Sequence, residues 1–151
     1  MGSLAKSKTL TIECPIYNVE TLPENTLGER VHKLRVSNNI TIKDLAKLCN
    51  LSSETISNIE KSRTTPNVTT LNKICQALET TNAYLLGTDS WPESSPAEII
   101  YKYRMNSGLS QRQLAKKCGL HQSTIKDYES NKISNPDTLK IIYNKIGYDK
   151  K

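Results

Sequence analysis

Cysteine and histidine are the side chains in this sequence best suited to chemistry, as metal ligands or nucleophiles. The four cysteines lie at positions 14, 49, 75 and 118, and the two histidines are His32 and His121. No two cysteines have the C-x-x-C spacing of a structural metal site, so we expect no metal. The sequence also lacks a glycine-rich phosphate loop, a nucleophile elbow and a pair of carboxylates in a cleft. We therefore predict a protein that is not an enzyme and needs no cofactor.

Length, charge and hydropathy narrow the class of protein further. The chain has 151 residues and a formal net charge of +6, from 21 basic and 15 acidic side chains. No apolar run approaches the ~18–20 residues of a membrane-spanning helix, and the N-terminus lacks the apolar region of a signal peptide. We expect a cytoplasmic protein with reduced cysteines and no membrane partner. The modest positive charge by itself favours nucleic acid only weakly.

The chain repeats itself at a constant offset of 69 residues. Between residues 30–60 and 99–129, ten of the 31 aligned pairs are identical. One supersecondary unit is therefore used twice, which predicts two small domains. Residues 28–88 carry a net charge of +3 and 97–151 carry +6, whereas 89–96 is acidic and rich in proline and serine. We predict an N-terminal arm (1–27), a first domain (28–88), a linker (89–96) and a second domain (97–151).

Helical periodicity and turn residues indicate an all-α fold. Apolar residues recur at helical spacing, as Leu45 and Leu48 do, and the run from Thr41 to Asp44 has the pattern of a capping box. The breaks between helices fall at the paired positions 39/108 and 50/119, which are Asn or Gly in both copies. These residues enter the left-handed αL region at low cost. A short helix, an αL turn and an immediate second helix predict a helix-turn-helix.

Residues 8–19 have a different pattern. Leu10 and Ile12 alternate with polar residues, which is typical of a strand, and Pro15 would confine that strand to a sheet edge or a bulge. The N-terminal arm either contains a short strand that pairs with or packs on a partner, or is a disordered tail.

Both repeats resemble the phage repressor/Cro-like (Xre) helix-turn-helix family. The family pattern is an arginine, an αL residue, Ser/Thr-Gln, Leu-Ala, a second αL residue, a polar cap, Ile/Val and a glutamate. In the second repeat this pattern is Arg104, Gly108, Ser110-Gln111, Leu114-Ala115, Gly119, His121, Ile125 and Glu129. In the first it is Arg35, Asn39, Thr41-Ile42, Leu45-Ala46, Asn50, Ser52, Ile56 and Glu60, with the closing Tyr84-Leu-Leu-Gly87. The resemblance implies two tandem lambda-repressor-like domains.

The family's mode of DNA binding implies a role for particular residues. Its second motif helix lies in the major groove and reaches base edges with its N-terminal residues. The resemblance implies base contacts from Ser53, Glu54, Ser57, Asn58, Gln122, Ser123, Lys126 and Asp127. It implies DNA-backbone contacts from Thr41, Arg63, Ser110, Gln111, His121 and Lys132. It also implies two structural ion pairs, Arg35–Glu60 and Arg104–Glu129.

These residues together predict a sequence-specific transcriptional regulator of double-stranded DNA, most simply a repressor with two half-sites ~34–36 Å apart. We expect the second repeat to bind DNA more strongly, because Ile42 and Glu54 depart from the pattern in the first. The alternative is a protein-interaction module or an antitoxin-like autoregulator in which one repeat has lost DNA binding. A homodimer or a protein partner could bind through the arm or through the second domain, which lacks the closing Tyr-Leu-Leu-Gly turn.

Overall fold

The computed structural model describes residues 18–149, and nine α-helices make up most of this part of the chain, with no strand in it. The first unit comprises α1 (Leu27–Ser37), α2 (Ile42–Cys49), α3 (Ser53–Glu60), α4 (Val68–Ala77) and α5 (Asn82–Leu86). The second unit comprises α6 (Pro96–Asn106), α7 (Gln111–Cys118), α8 (Gln122–Glu129) and α9 (Pro136–Ile146). Short 3-10 turns lie at Val19–Thr21 and Thr88–Ser90. The all-α prediction is confirmed, and the predicted strand at 8–19 lies almost entirely outside the described residues.

Local capping sets where the helices begin and end. The predicted capping box at Thr41 and Asp44 is present at the start of α2, and an equivalent box starts α7. Both pairs of predicted breaks, at 39/108 and 50/119, have positive φ, and so does Ser62 after α3, at 55°. Because each αL residue ends one helix and a polar cap starts the next, the helices stay short and the chain turns sharply between them.

Each unit has its own hydrophobic core. The first cluster is centred on residues that are fully buried, which are Val31, Leu45, Ile56, Leu71, Ile74 and Leu85. The second cluster is centred on Ile100, Leu114, Ile125, Tyr128 and Ile142. Leu48 departs from the expected apolar face of α2, because its side chain is 63% exposed. The buried face of α2 is formed by Leu45, Ala46 and Cys49 instead.

The segment predicted as a linker lies against the second unit. The ring of Trp91 stacks on Tyr101 of α6, with centroids 5.4 Å apart and planes within 8°. Lys102 of α6 donates to the carbonyl oxygen of Trp91 at 3.3 Å and pairs with Glu93 at 2.9 Å. Its counterpart in the first unit, Lys33, pairs with Glu24 at 3.2 Å. The 69-residue offset thus continues into this segment, which follows the course of the residues preceding α1.

The C-terminal end of the second unit differs from the first. The first unit ends with α5. In the second unit, three tyrosines pack together: one on α6, one on α9 and one just after α9. Tyr148 meets Tyr103 and Tyr143 edge to face, with ring centroids 5.1 and 4.8 Å apart. The three rings pack against the second core cluster, whereas Ile141 of α9 is 45% exposed.

Candidate nucleic-acid interface

The turn between α2 and α3 and the turn between α7 and α8 share one backbone geometry. Asn50 (φ 53°, ψ 51°) and Gly119 (φ 66°, ψ 31°) end the first helix of each pair in the αL region. The amide of the next residue donates to a carbonyl five positions earlier, at 2.8 Å in the first unit and 2.9 Å in the second. A new helix begins within three residues, so the two helices cross at the turn as a helix-turn-helix does.

Burial divides the second helix of each motif into two faces. Ile56 and Ile59 of α3 are buried, and so are Ile125 and Tyr128 of α8. The opposite side of each helix is exposed or half-buried and carries the predicted base-contact residues. Positions spaced by one, four and five residues share a side of a helix, so each set lies together. We call them the first polar face (Ser53, Glu54, Ser57 and Asn58) and the second polar face (Gln122, Ser123, Lys126 and Asp127).

The predicted DNA-backbone residues surround these faces. The hydroxyls of Thr41 and Ser110 cap α2 and α7 through hydrogen bonds of 3.1 and 3.2 Å. His121 caps α8, and its side chain accepts from the backbone of the first turn. Arg63 and Lys132 are exposed in the loops that follow α3 and α8. All five residues therefore lie at helix ends or in loops near the two polar faces.

Two further cations lie beside the predicted contacts. Lys43 and Arg112 occupy equivalent positions in the first turns of α2 and α7, and both side chains are exposed. They were not among the predicted contacts, although the exchange of one basic residue for another at the 69-residue offset was a signal. Each amino end thus presents one exposed cation; in α2 the carboxylate of Asp44 lies in the same turn, whereas the first turn of α7 has no acidic residue.

Gln111 has a contact that the family pattern did not predict. Its Nε2 donates to Oε2 of Glu129 at 2.6 Å, so one amide hydrogen points into the unit. In the first unit Ile42 stands at this position, and His32 supplies the additional contact, with Nδ1 3.0 Å from Oε2 of Glu60. This role of His32 was not predicted, because the 69-residue offset pairs His32 with Tyr101, which gives no signal of an ionic partner.

Both predicted ion pairs bring their partners into direct contact. Arg35 Nε lies 2.6 Å from Glu60 Oε1, and a second guanidinium nitrogen lies 3.0 Å from Oε2. Arg104 forms the same bidentate contact with Glu129. Each arginine also donates to the carbonyl oxygen at the break before the next helix, at 2.9 Å to Ile40 in the first unit. The four charged side chains are only 6–11% exposed.

The environment of Glu60 lowers the pKa of its carboxyl group below the usual value. Burial by itself would raise that pKa, but the hydrogen bonds from Arg35 and His32 and the guanidinium charge outweigh it. Glu60 is therefore ionised at neutral pH and holds α1 to the end of α3.

Residues 18–149 contain no group of three or more His, Cys, Asp and Glu side chains placed to hold a metal ion. Nor does any helix there have the length and apolar character to cross a membrane. The cysteines in this range, Cys49, Cys75 and Cys118, have free thiols whose pKa is raised by burial.

Comparison with known proteins agrees with the two motifs. Searches of curated proteins and of solved structures gave no match. The model of a helix-turn-helix family of DNA-binding regulators matches two stretches of this chain, residues 31–85 and 100–149. The matches contain both turns, both polar faces and both ion pairs. The chain therefore belongs to the Xre, lambda-repressor-like helix-turn-helix family and carries two tandem copies of its domain.

Proposed function

We propose that this protein binds double-stranded DNA sequence-specifically, with the amino-terminal halves of α3 and α8 in the major groove. The observation that carries the proposal is the second polar face. Gln122 and Ser123 are exposed at the start of α8 and Lys126 is exposed one turn later, while Ile125 and Tyr128 on the other side anchor α8 in the core. A rigidly held helix with an exposed amide at its amino end and an ammonium group one turn on suits base edges in the major groove.

The two polar faces differ in what they can recognise. The side-chain amide of Gln122 can donate to and accept from adenine at once, and Lys126 can donate to guanine or to a phosphate. In the first polar face Asn58 can pair with adenine, but Glu54 can only accept, as from cytosine N4, and repels phosphates. We therefore assign the larger share of binding free energy to the second unit and a narrower base preference to the first.

Phosphate contacts come from the helix ends and loops around the polar faces. The exposed cations Lys43, Arg63, Arg112 and Lys132 flank them. Gln111 donates one amide hydrogen to Glu129 and keeps its second for a phosphate oxygen. A phosphate held there would be coupled to the Arg104–Glu129 pair, which fixes the start of α7 relative to α8. The backbone contacts would thereby orient the second polar face in the groove.

We assign to the protein the role of a transcriptional repressor. Residues 27–146 are taken up almost entirely by the two helix-turn-helix units. Their direct means of regulation is to occupy DNA, and occupation of a promoter excludes polymerase. In vitro transcription from a promoter that overlaps the selected site should fall as the site fills. A rise in transcription at the same occupancy would show an activator instead.

Selection of genomic fragments on the pure protein, followed by binding to the enriched duplex, tests the proposal. Because four cations neutralise phosphates, log affinity should fall against log salt with a slope of about −4. Enrichment of one motif with such a slope supports specific binding. No enriched motif and no salt dependence would overturn the proposal.

Matched variants separate the two units. Gln122→Ala should weaken binding to the selected duplex by about 1–3 kcal/mol, and Asn58→Ala should do so at the other half-site. Gln76→Ala, which removes an exposed glutamine from α4, is the control and should leave binding unchanged. If Gln122→Ala weakens binding and Asn58→Ala does not, only the second unit contacts bases. If neither does, the polar faces do not bind DNA.

A further inference from the structure

The first and second units are joined by a polar junction that neither helix-turn-helix motif requires. Asn82 begins α5, and its side chain is almost entirely buried. Its Nδ2 donates to Asn72 Oδ1 at 2.8 Å and across the boundary to the carbonyl oxygen of Met105 at 3.1 Å. Its Oδ1 accepts from the thiol of Cys75 at 2.8 Å. Every polar atom of this buried amide thus has a partner, which fixes its orientation.

Gly108 completes the junction from the second unit. Asn72 Nδ2 donates to the carbonyl oxygen of Gly108 at 2.8 Å. A Cβ atom at position 108 would lie 2.5 Å from Asn72 Oδ1 and 2.9 Å from Asn82 Nδ2. The φ of +65° is not itself the reason for glycine, because Asn39 has a φ of 54° at the equivalent position of the first unit. A side chain at 108 would instead displace the amides of Asn72 and Asn82 from the positions in which they join the two units.

Apolar contacts reinforce the same junction. Met105 of α6 packs against the core cluster of the first unit. Trp91, which precedes α6, is stacked on Tyr101 rather than free in a tether. The polypeptide between the units therefore cannot act as a loose linker while this packing persists.

The docked arrangement also brings the loop after α3 beside the amino ends of α7 and α8. A single cleft of about 520 Å³ is lined by Thr65 and Pro66, from the loop after α3, and by Gln111, Arg112 and Gln122 of the second unit. The loop after α3 carries the proposed phosphate contact Arg63, and Gln122 belongs to the second polar face. The loop after α3 and the amino ends of α7 and α8 thus face one cleft, so docking fixes where the second polar face lies relative to the first unit.

We propose that Asn72, Asn82 and Gly108 are positioning residues, which lock the two units into one rigid DNA-binding body. The protein then requires two half-sites at one fixed separation and rotation on the duplex. This inference rests on the proposed DNA binding. Once the first unit is bound, a rigid connection gives the second unit a high effective concentration at a half-site of one separation and rotation, and a very low one at any other half-site. A flexible tether would tolerate many separations and rotations.

Binding to a series of duplexes in which the half-sites are moved apart one base pair at a time tests this requirement. Each added base pair rotates the second half-site by about a tenth of a turn. The wild-type protein should lose at least about tenfold in affinity one or two base pairs from its best spacing. Gly108→Asn should lose a similar factor at the best spacing and bind the whole series with nearly equal affinity. Asn72→Ala, which adds no bulk, should flatten the profile in the same direction.

Gly147→Asn is the matched control. Gly147 also has a positive φ, of +71°, but a Cβ there would meet nothing within 4 Å. This variant should keep the spacing profile of the wild type. Circular dichroism establishes that all three variants are helical, so that a flat profile reports lost docking and not lost folding.

NMR relaxation of the free protein separates failure of this inference from failure of the proposed function. Amides of both units should report one common rotational correlation time in the wild type and shorter, unequal times in Gly108→Asn. Two unequal times in the wild type would overturn the rigid junction. A common time with tight binding that ignores spacing would overturn its positioning role. A wild type that binds no duplex would overturn the proposed function, and the inference with it.

Discussion

Replacement of Glu129 by alanine is the sharpest test of the structural role proposed for the buried ion pairs. The carboxylate accepts from two nitrogens of Arg104 and from Nε2 of Gln111. Its removal leaves the guanidinium with one strong acceptor, the carbonyl oxygen of Leu109 at 2.8 Å. The side chain of Arg104 is only 6% exposed, so water cannot readily replace the lost partner.

The expected loss follows from this burial. Removal of one partner from a buried ion pair costs about 3–5 kcal/mol, because the remaining charge is uncompensated. For a domain of this size that corresponds to a fall in Tm of well over about 10 °C. Glu129→Gln, which keeps an acceptor oxygen but loses the charge, should cost less than Glu129→Ala. Asp127→Asn is the control for stability alone, since its 4.0 Å contact with Lys132 is exposed and contributes less than about 1 kcal/mol.

Urea unfolding followed by fluorescence is the assay. Trp91 is the chain's single tryptophan and stacks on α6, so its emission reports the second unit. DNA binding is measured under conditions in which each variant is folded. Should Glu129→Ala unfold within about 1 kcal/mol of the parent and yet lose DNA binding, the structural assignment would be wrong, and the carboxylate would act at the interface.

Three further predictions concern single residues. Folding lowers the pKa of the Glu60 carboxyl group below its ordinary value of 4.5. The carboxylate's contribution to stability is therefore complete above pH 4.5 and is lost as the pH falls through the pKa of the folded protein. In urea unfolding, the free energies of unfolding of the wild type and of Glu60→Gln should converge in acid. Burial raises the pKa of Cys75 to about 11, so alkylation at pH 8, followed by mass spectrometry, should be far slower in native protein than in urea. Arg112→Gln should reduce the salt slope of DNA binding by about 1 without changing the preferred sequence, whereas Lys145→Gln on α9 should leave the slope unchanged.

The helix boundaries were predictable because few residues are compatible with the backbone that they require. Asn50 and Gly119 stand where the chain must enter the αL region, and their recurrence at one offset excluded coincidence. The polar faces could be located for the same reason, since each begins a fixed number of residues after its αL turn. The backbone preferences of single residues were thus sufficient to predict each helix-turn-helix from the sequence.

Side-chain partners between elements were harder to predict. Leu48 follows Leu45 at helical spacing, yet α2 spans only eight residues and buries its other side. The family pattern implied a phosphate contact for Gln111, and its bond to Glu129 depends on how α7 meets the end of α8. Periodicity specifies which side of a helix is apolar, but it contains no information on which polar atom of another helix lies within reach.

Comparison of equivalent positions in the two repeats separates the residues that the domain itself requires from those that the contact between the units requires. Where both copies need only an αL residue, either Asn or Gly suffices, as at positions 50 and 119. At 39 and 108 the same exchange has a further cause, because only the residue at 108 faces Asn72 and Asn82. The sequence difference is the same at both pairs, but only at 108 would a side chain meet the neighbouring unit. The contrast between Gly108→Asn and Gly147→Asn therefore measures docking itself, since backbone strain is common to both substitutions.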